Sequence, residues 1–74
     1  MNNMRSERIR SGLTAKQASE IVDVQESTVL RWERGESNPL AIQAVLLANS
    51  YGCSVEYLLG MTDERHGTEI RQRA

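Results

Sequence analysis

The sequence predicts a small all-α domain. Helical signals recur along its 74 residues, whereas β-branched runs that alternate with polar residues are missing. Glycines follow the helical stretches where C-terminal caps are expected, and connections of two to five residues would hold neighbouring helices together. Because only three aromatic residues are present, the core must be mainly aliphatic.

Five short helices are predicted, followed by a tail. Thr14, with Gln17 three residues later, forms a capping box that opens the second helix. The predicted helices, each ended by a glycine or by a turn residue, are residues 4–11, 15–22, 25 or 26–34, 39 or 40–51 and 54–58. Residues 61–74 contain few apolar side chains, so the sequence divides into a domain at 1–60 and a polar C-terminal tail at 61–74.

The apolar positions of the second, third and fourth helices predict one inward surface. Its members recur at helical spacing and are Ala18, Val22, Val24, Val29, Trp32, Ala41, Ala44, Leu47, Ala48 and Tyr51. On the third helix, Ser27, Arg31 and Arg34 point away from Val29 and Trp32. A solvated surface helix would show the same pattern, so the outward face alone does not indicate function.

Composition excludes several classes of protein. One cysteine allows neither an internal disulfide framework nor a cysteine-based zinc site. With no apolar run near 18 residues and no signal peptide, we expect no membrane span and a cytoplasmic location. The chain shows no nucleophile–base pair, metal-ligand cluster or phosphate loop, so we expect neither an enzyme nor a metal or cofactor site. The formal charge of −1 does not favour binding to nucleic acid.

Two helices joined by a turn of three or four residues form a helix-turn-helix unit. Residues 4–60 resemble the lambda repressor and Cro family, the XRE type, through "GLT" at 12–14, "STVLRWERG" at 27–35, "NP" at 38–39 and "SVEYLLG" at 54–60. The resemblance implies a compact five-helix, lambda-repressor-like DNA-binding domain. It also implies a transcription regulator that binds double-stranded DNA, most simply a phage- or mobile-element-type repressor that binds a palindromic operator as a dimer.

The resemblance further implies roles for individual residues. The positions that would read DNA bases are Gln25, Glu26, Ser27, Leu30 and Arg31. The positions that would lie near the DNA backbone are Thr14, Ala15, Lys16, Thr28, Arg34, Gly35 and Ser37. Arg8 and Glu33 correspond to an ion pair that holds the fold together. Glu26 could accept a hydrogen bond from a cytosine amino group, or it could simply be a first-turn acid of its helix.

Some residues depart from the family pattern. Ala15 stands where glutamine is common, Asp23 replaces the usual turn glycine, and Glu26 and Glu36 add negative charge near the expected DNA surface. Ala15, Glu26 and Glu36, together with the net negative charge, motivate an alternative function, a protein-interaction module such as an antitoxin-like domain that keeps the fold with weak or lost DNA reading.

Apolar residues outside the core stripe predict a contact between two copies of the chain. Ile42 and Leu46 lie one turn apart on the other side of the fourth helix, and Val55 and Met61 could extend that surface. The family commonly dimerises through its last helices, so a homodimer is expected. An exposed pair without a partner is the alternative.

Overall fold

The computed structural model describes residues 1–66, and within that range the chain forms five α-helices. They are α1 (Met4–Arg10), α2 (Ala15–Val22), α3 (Glu26–Glu33), α4 (Ala41–Tyr51) and α5 (Val55–Leu58). The all-α prediction is therefore confirmed. The remainder of the predicted tail, residues 67–74, lies outside the described residues.

Local capping explains where several helices begin. The Thr14 hydroxyl accepts a hydrogen bond from the Gln17 N–H at 3.0 Å, and the Gln17 side chain accepts from the Thr14 N–H at 2.9 Å. The predicted capping box at the start of α2 is thus confirmed. The Ser54 hydroxyl accepts from the Tyr57 N–H at 3.1 Å and caps α5 in the same manner. Both caps satisfy backbone donors that have no partner inside the helix.

Four predicted boundaries differ from the structure by one or two residues. The helix α1 ends at Arg10 instead of Ser11, α3 ends at Glu33 instead of Arg34, α4 begins at Ala41 instead of at residue 39 or 40, and α5 begins at Val55 instead of Ser54. The terminal residues make turn-type hydrogen bonds, such as Gly12 N–H to the Ile9 carbonyl at 2.9 Å, and so leave the regular helical pattern.

The core is centred on α2, which packs against both α3 and α4, while α1 packs against α3 and α4 and α5 packs against α4. Its buried side chains from α2, α3 and α4 include most of the predicted set, namely Ala18, Val22, Val29, Trp32, Ala44, Leu47, Ala48 and Tyr51. Two predicted members differ, since Val24 is only half-buried and Ala41 is exposed. Ala41 is the first residue of α4, and the chain reaches the core only one turn later. Met4 and Leu58 complete the core from α1 and α5.

The segments before α1 and after α5 are bound to the domain. The Asn3 N–H donates to the Leu58 carbonyl at 2.9 Å, and the Asn3 side chain donates to the Tyr57 carbonyl at 2.7 Å. At the other end, the Ser54 N–H donates to the Arg65 carbonyl at 2.7 Å. These bonds close the chain around α5, which has only four residues and could not hold its place alone.

A buried carboxylate fixes the segment after α5. Glu7 of α1 is 3 % exposed. Its carboxylate accepts hydrogen bonds from Arg10 at 3.1 Å and from Arg65 at 3.2 Å. Arg10 also donates to the Tyr51 carbonyl at 2.6 Å, at the end of α4. Arg65, which belongs to the predicted tail, therefore neutralises a charge inside the domain.

Candidate nucleic-acid interface

The turn between α2 and α3 sets the direction of α3. Asp23 adopts the left-handed conformation, with φ 58° and ψ 53°, and the Val24 N–H donates to the Ser19 carbonyl at 3.0 Å. Aspartate tolerates this conformation better than most residues, although less well than glycine. Ser19 is buried where the two helices meet, and its hydroxyl donates to the Lys16 carbonyl at 2.6 Å. The hydroxyl is thereby satisfied within α2 and leaves the helix contact intact.

The helix α3 has one anchored side and one exposed side. Val29 and Trp32 are 1 % and 4 % exposed, and the Trp32 carbonyl accepts a hydrogen bond from the Asn2 side chain at 2.9 Å. Ser27 and Arg31 lie on the opposite side and are exposed. The tryptophan therefore holds the helix to the core, and a set of polar side chains faces solvent.

The ion pair between Arg8 and Glu33 fixes α3 to α1. Arg8 Nε lies 2.6 Å from Glu33 Oε2, and Arg8 Nη2 lies 3.1 Å from Oε1. A third guanidinium N–H, on Nη1, donates to the Leu13 carbonyl at 3.1 Å. Both side chains are nearly buried, at 11 % and 3 % exposed. Such a two-point contact fixes orientation as well as distance, so it sets how α3 lies against α1.

Most of the residues predicted to read DNA bases share the exposed side of α3. We call this surface the recognition face and define it by its exposed members, which are Gln25, Glu26, Ser27, Arg31 and Arg34. Leu30, also predicted to read bases, is half-buried and packs against the core. Its side chain therefore helps to hold α3 against the core, and its role in base reading stays a prediction.

The residues predicted near the DNA backbone occupy different environments. Thr14, Lys16, Arg34 and Gly35 are exposed, whereas Thr28 and Ser37 are half-buried. Ala15 is only 8 % exposed, because the first turn of α2 packs onto the core. The assignment of Ala15 to a position near the DNA backbone stays a prediction, and its buried side chain leaves its main-chain atoms as the part that could take this role.

The helix-turn-helix family model HTH_3 matches residues 4–58, which is most of the chain. The chain belongs to this family. The match agrees with the resemblance to the XRE-type, lambda repressor and Cro-like proteins, and the family consists of DNA-binding transcription regulators. Neither a curated protein nor a solved structure matches the chain.

In this helix-turn-helix domain, the cations near the recognition face have partners within the chain. Arg34 Nε and Nη2 donate to the two carboxylate oxygens of Glu36 at 2.8 and 3.3 Å. Lys16 Nζ lies 3.9 Å from Glu20 Oε2. Arg31 Nη2 donates instead to the Thr28 hydroxyl at 3.3 Å. The pairing of Arg34 with Glu36 was not predicted, although the glycine between the two residues was a signal that the chain turns there.

The other large exposed surface of the domain lies on α4. Ile42, Val45 and Leu46 are 61 %, 38 % and 39 % exposed and form what we call the outer α4 face. Met61 is also exposed, whereas Val55 is half-buried and packs against the core. Val45 was missing from the predicted contact set, and its spacing of three residues from Ile42 would have identified it. None of the helices in residues 1–66 has the length and apolarity needed to cross a membrane.

Proposed function

We propose that this protein is a sequence-specific transcription regulator, most simply a repressor, that acts in the cytoplasm and binds a palindromic operator as a dimer. The observation that carries the proposal is the division of α3. Val29 and Trp32 lie in the core, while Ser27 and Arg31 lie on the exposed recognition face. An α-helix held in this manner fits the major groove of B-DNA, which is about 12 Å wide.

The recognition face has side chains suited to base reading. An arginine can donate two hydrogen bonds to O6 and N7 of guanine, and this contact discriminates by about 1 to 3 kcal/mol against the wrong base. A serine hydroxyl can donate to or accept from several base edges. We therefore assign the main discriminating contact to Arg31, with Ser27 and Gln25 as secondary contacts. Lys16 and Arg34 would bind phosphates, which position the helix without reading sequence.

The small number of cations favours binding by two copies. Phosphate neutralisation supplies most of the sequence-independent affinity, so a single domain with Lys16, Arg31 and Arg34 would bind weakly. Two domains on half-sites about 34 Å apart double these contacts.

The outer α4 face is the proposed contact between the two copies, extended by Met61 and the exposed part of Val55. The helix α4 contains no charged residue, although one side of it faces solvent. Exposed apolar side chains that cluster on a small domain favour a surface that a partner covers. A self-complementary apolar surface of this kind is what a twofold dimer uses.

The dimer is tested by analytical ultracentrifugation of the protein with Leu46→Glu. Ile9→Glu is the matched control, because Ile9 is 51 % exposed on α1. We expect Leu46→Glu to shift the dimer to monomer and Ile9→Glu to leave it unchanged. Equal behaviour of the two variants, or a wild-type protein that stays monomeric, would contradict the proposed contact.

DNA binding is tested by selecting bound sequences from a random duplex library at about 100 mM salt and repeating the binding across salt concentrations. We expect a palindrome with half-sites about one helical turn apart. Arg31→Ala should remove the preference at one base pair per half-site, while Arg5→Ala, which removes an exposed arginine of α1, should preserve it. A library without enrichment would contradict sequence-specific reading.

A second candidate function is a protein-interaction module with weak or lost DNA reading, such as an antitoxin-like domain. It is favoured by the carboxylates beside Lys16 and Arg34 and by the formal charge of −1. The combined substitution Arg31→Ala and Arg34→Ala separates the two functions. If the protein is a regulator, the double variant should lose its affinity for DNA. If it is an interaction module, the double variant should still bind the protein partner that the wild-type chain binds.

A further inference from the structure

The turn that follows α3 brings Glu36 onto Arg34. Gly35 has a φ of 78°, the left-handed conformation that favours glycine. The Glu36 N–H donates to the Arg31 carbonyl at 2.9 Å, so the backbone after the glycine folds back on the last turn of α3. Side chains two residues apart do not face each other along a helix. The left-handed turn is therefore what allows both Glu36 oxygens to bind the Arg34 guanidinium.

The carboxylate of Glu36 occupies two of the Arg34 donors that a phosphate could use. Carboxylates and phosphates both bind a guanidinium through two parallel N–H···O bonds, and Glu36 takes Nε and Nη2 of Arg34 in that manner. The hydrogen bond from Arg34 lowers the pKa of Glu36, so the competing group is charged at neutral pH. A phosphate must therefore either displace this carboxylate or bind the remaining N–H groups of a guanidinium whose charge Glu36 already offsets.

We propose that Glu36 is an internal competitor of DNA phosphate and lowers the affinity of the recognition face for duplex DNA of any sequence. This inference rests on the proposed function, because it takes the recognition face as the DNA-binding surface. Lys16 and Glu20, 3.9 Å apart, form a second and looser pair of the same kind. Arg31 donates to the neutral hydroxyl of Thr28, so Glu36 acts on this proposed base reader through charge at longer range and not through a hydrogen bond.

Competition leaves a signature in the salt dependence of binding. Each phosphate that a protein cation neutralises contributes about −0.9 to the slope of log K against log salt. When Arg34 moves from Glu36 to a phosphate, the released carboxylate attracts a cation from solution, which offsets part of the counterion release. With Glu36→Gln this offset disappears, and the slope should become steeper by up to about 0.9.

The test compares Glu36→Gln with Glu56→Gln by fluorescence anisotropy. Glu56 is exposed on α5, so both substitutions remove one exposed negative charge. Binding is measured on a random-sequence duplex and on the best selected duplex, between about 50 and 200 mM salt. We expect Glu36→Gln to raise the affinity for both duplexes about two- to fivefold, the range that an exposed ion pair spans. Glu56→Gln should have a smaller effect, because salt screens distant charges.

Equal effects of the two substitutions would overturn the proposal, because the gain would then follow from net charge alone. The double variant with Glu36→Gln and Arg34→Ala, compared with Arg34→Ala alone, separates competition for Arg34 from direct repulsion of phosphate by Glu36. If Glu36→Gln still raises the affinity when Arg34 is absent, the proposal is also overturned. A wild-type protein that binds both duplexes equally would contradict sequence-specific reading, while the random-sequence duplex still decides the role of Glu36. A protein that binds neither duplex would refute the proposed function and this inference together.

Discussion

The substitution Glu33→Gln measures how much the ion pair between α1 and α3 contributes to stability. In the wild-type domain, the two carboxylate oxygens of Glu33 accept hydrogen bonds from Arg8 Nε and Nη2 at 2.6 and 3.1 Å. Glutamine has nearly the same shape, but an amide NH₂ replaces one oxygen. One Arg8 donor then faces the donor of the new amide. The guanidinium also loses its counter-charge, although the Arg8 side chain is only 11 % exposed to water.

The expected loss is large relative to the total stability of the domain. Breaking one side of a buried ion pair destabilises a protein by about 3 to 5 kcal/mol. We take about 3 kcal/mol for Glu33→Gln, because Arg8 keeps some contact with water and its hydrogen bond to the Leu13 carbonyl. A domain of 74 residues has a free energy of unfolding of about 4 to 11 kcal/mol. The loss corresponds to a fall in Tm of about 12 to 24 °C.

The assay is urea and thermal unfolding, followed by far-ultraviolet circular dichroism and by the fluorescence of Trp32, which is the single tryptophan of the chain. Glu36→Gln is the matched control, since it makes the same chemical change in an ion pair whose side chains are 56 % and 52 % exposed. We expect Glu36→Gln to shift Tm by less than about 2 °C, because exposed ion pairs contribute little. Equal, small shifts for the two variants would refute the conclusion that the Arg8 and Glu33 pair holds the fold.

Substitutions at three further residues test other features of the domain. The Tyr51 hydroxyl is buried without a hydrogen-bond partner in the described residues, so Tyr51→Phe should leave the urea midpoint unchanged or raise it; a clear fall would show that the hydroxyl has a partner. Asp23→Gly should raise stability by about 0.5 to 1 kcal/mol by relieving the left-handed conformation, whereas Asp23→Ala should not. Burial raises the pKa of Glu7, but the hydrogen bonds and charges of Arg65 and Arg10 outweigh burial and leave it below 4.5. Ionised Glu7 therefore stabilises the domain at pH values above its unfolded pKa, and this contribution is lost as the pH falls through the lower pKa of the folded state. We expect Glu7→Gln to flatten the dependence of Tm on pH below about 4.5.

The sequence by itself determined the helices and the orientation of α3. The capping box of Thr14 and Gln17 involves residues three apart, and the inward position of Val29 and Trp32 follows from the helical repeat. Such features depend on short-range hydrogen bonds and on the period of the helix, so they can be predicted before any packing partner is known. The Arg8 and Glu33 pair was expected only because the chain resembles a known family.

Tertiary structure decided how these elements use their side chains. The burial of Ala15 and the exposure of Ala41 depend on which turn of each helix reaches the core. The contact between Glu7 and Arg65 joins residues 58 positions apart, and no local pattern in the sequence indicates it. Arg34 binds Glu36 because a left-handed turn brings them together. These burial states and contacts all depend on the path of the backbone in space, which helical periodicity alone does not specify.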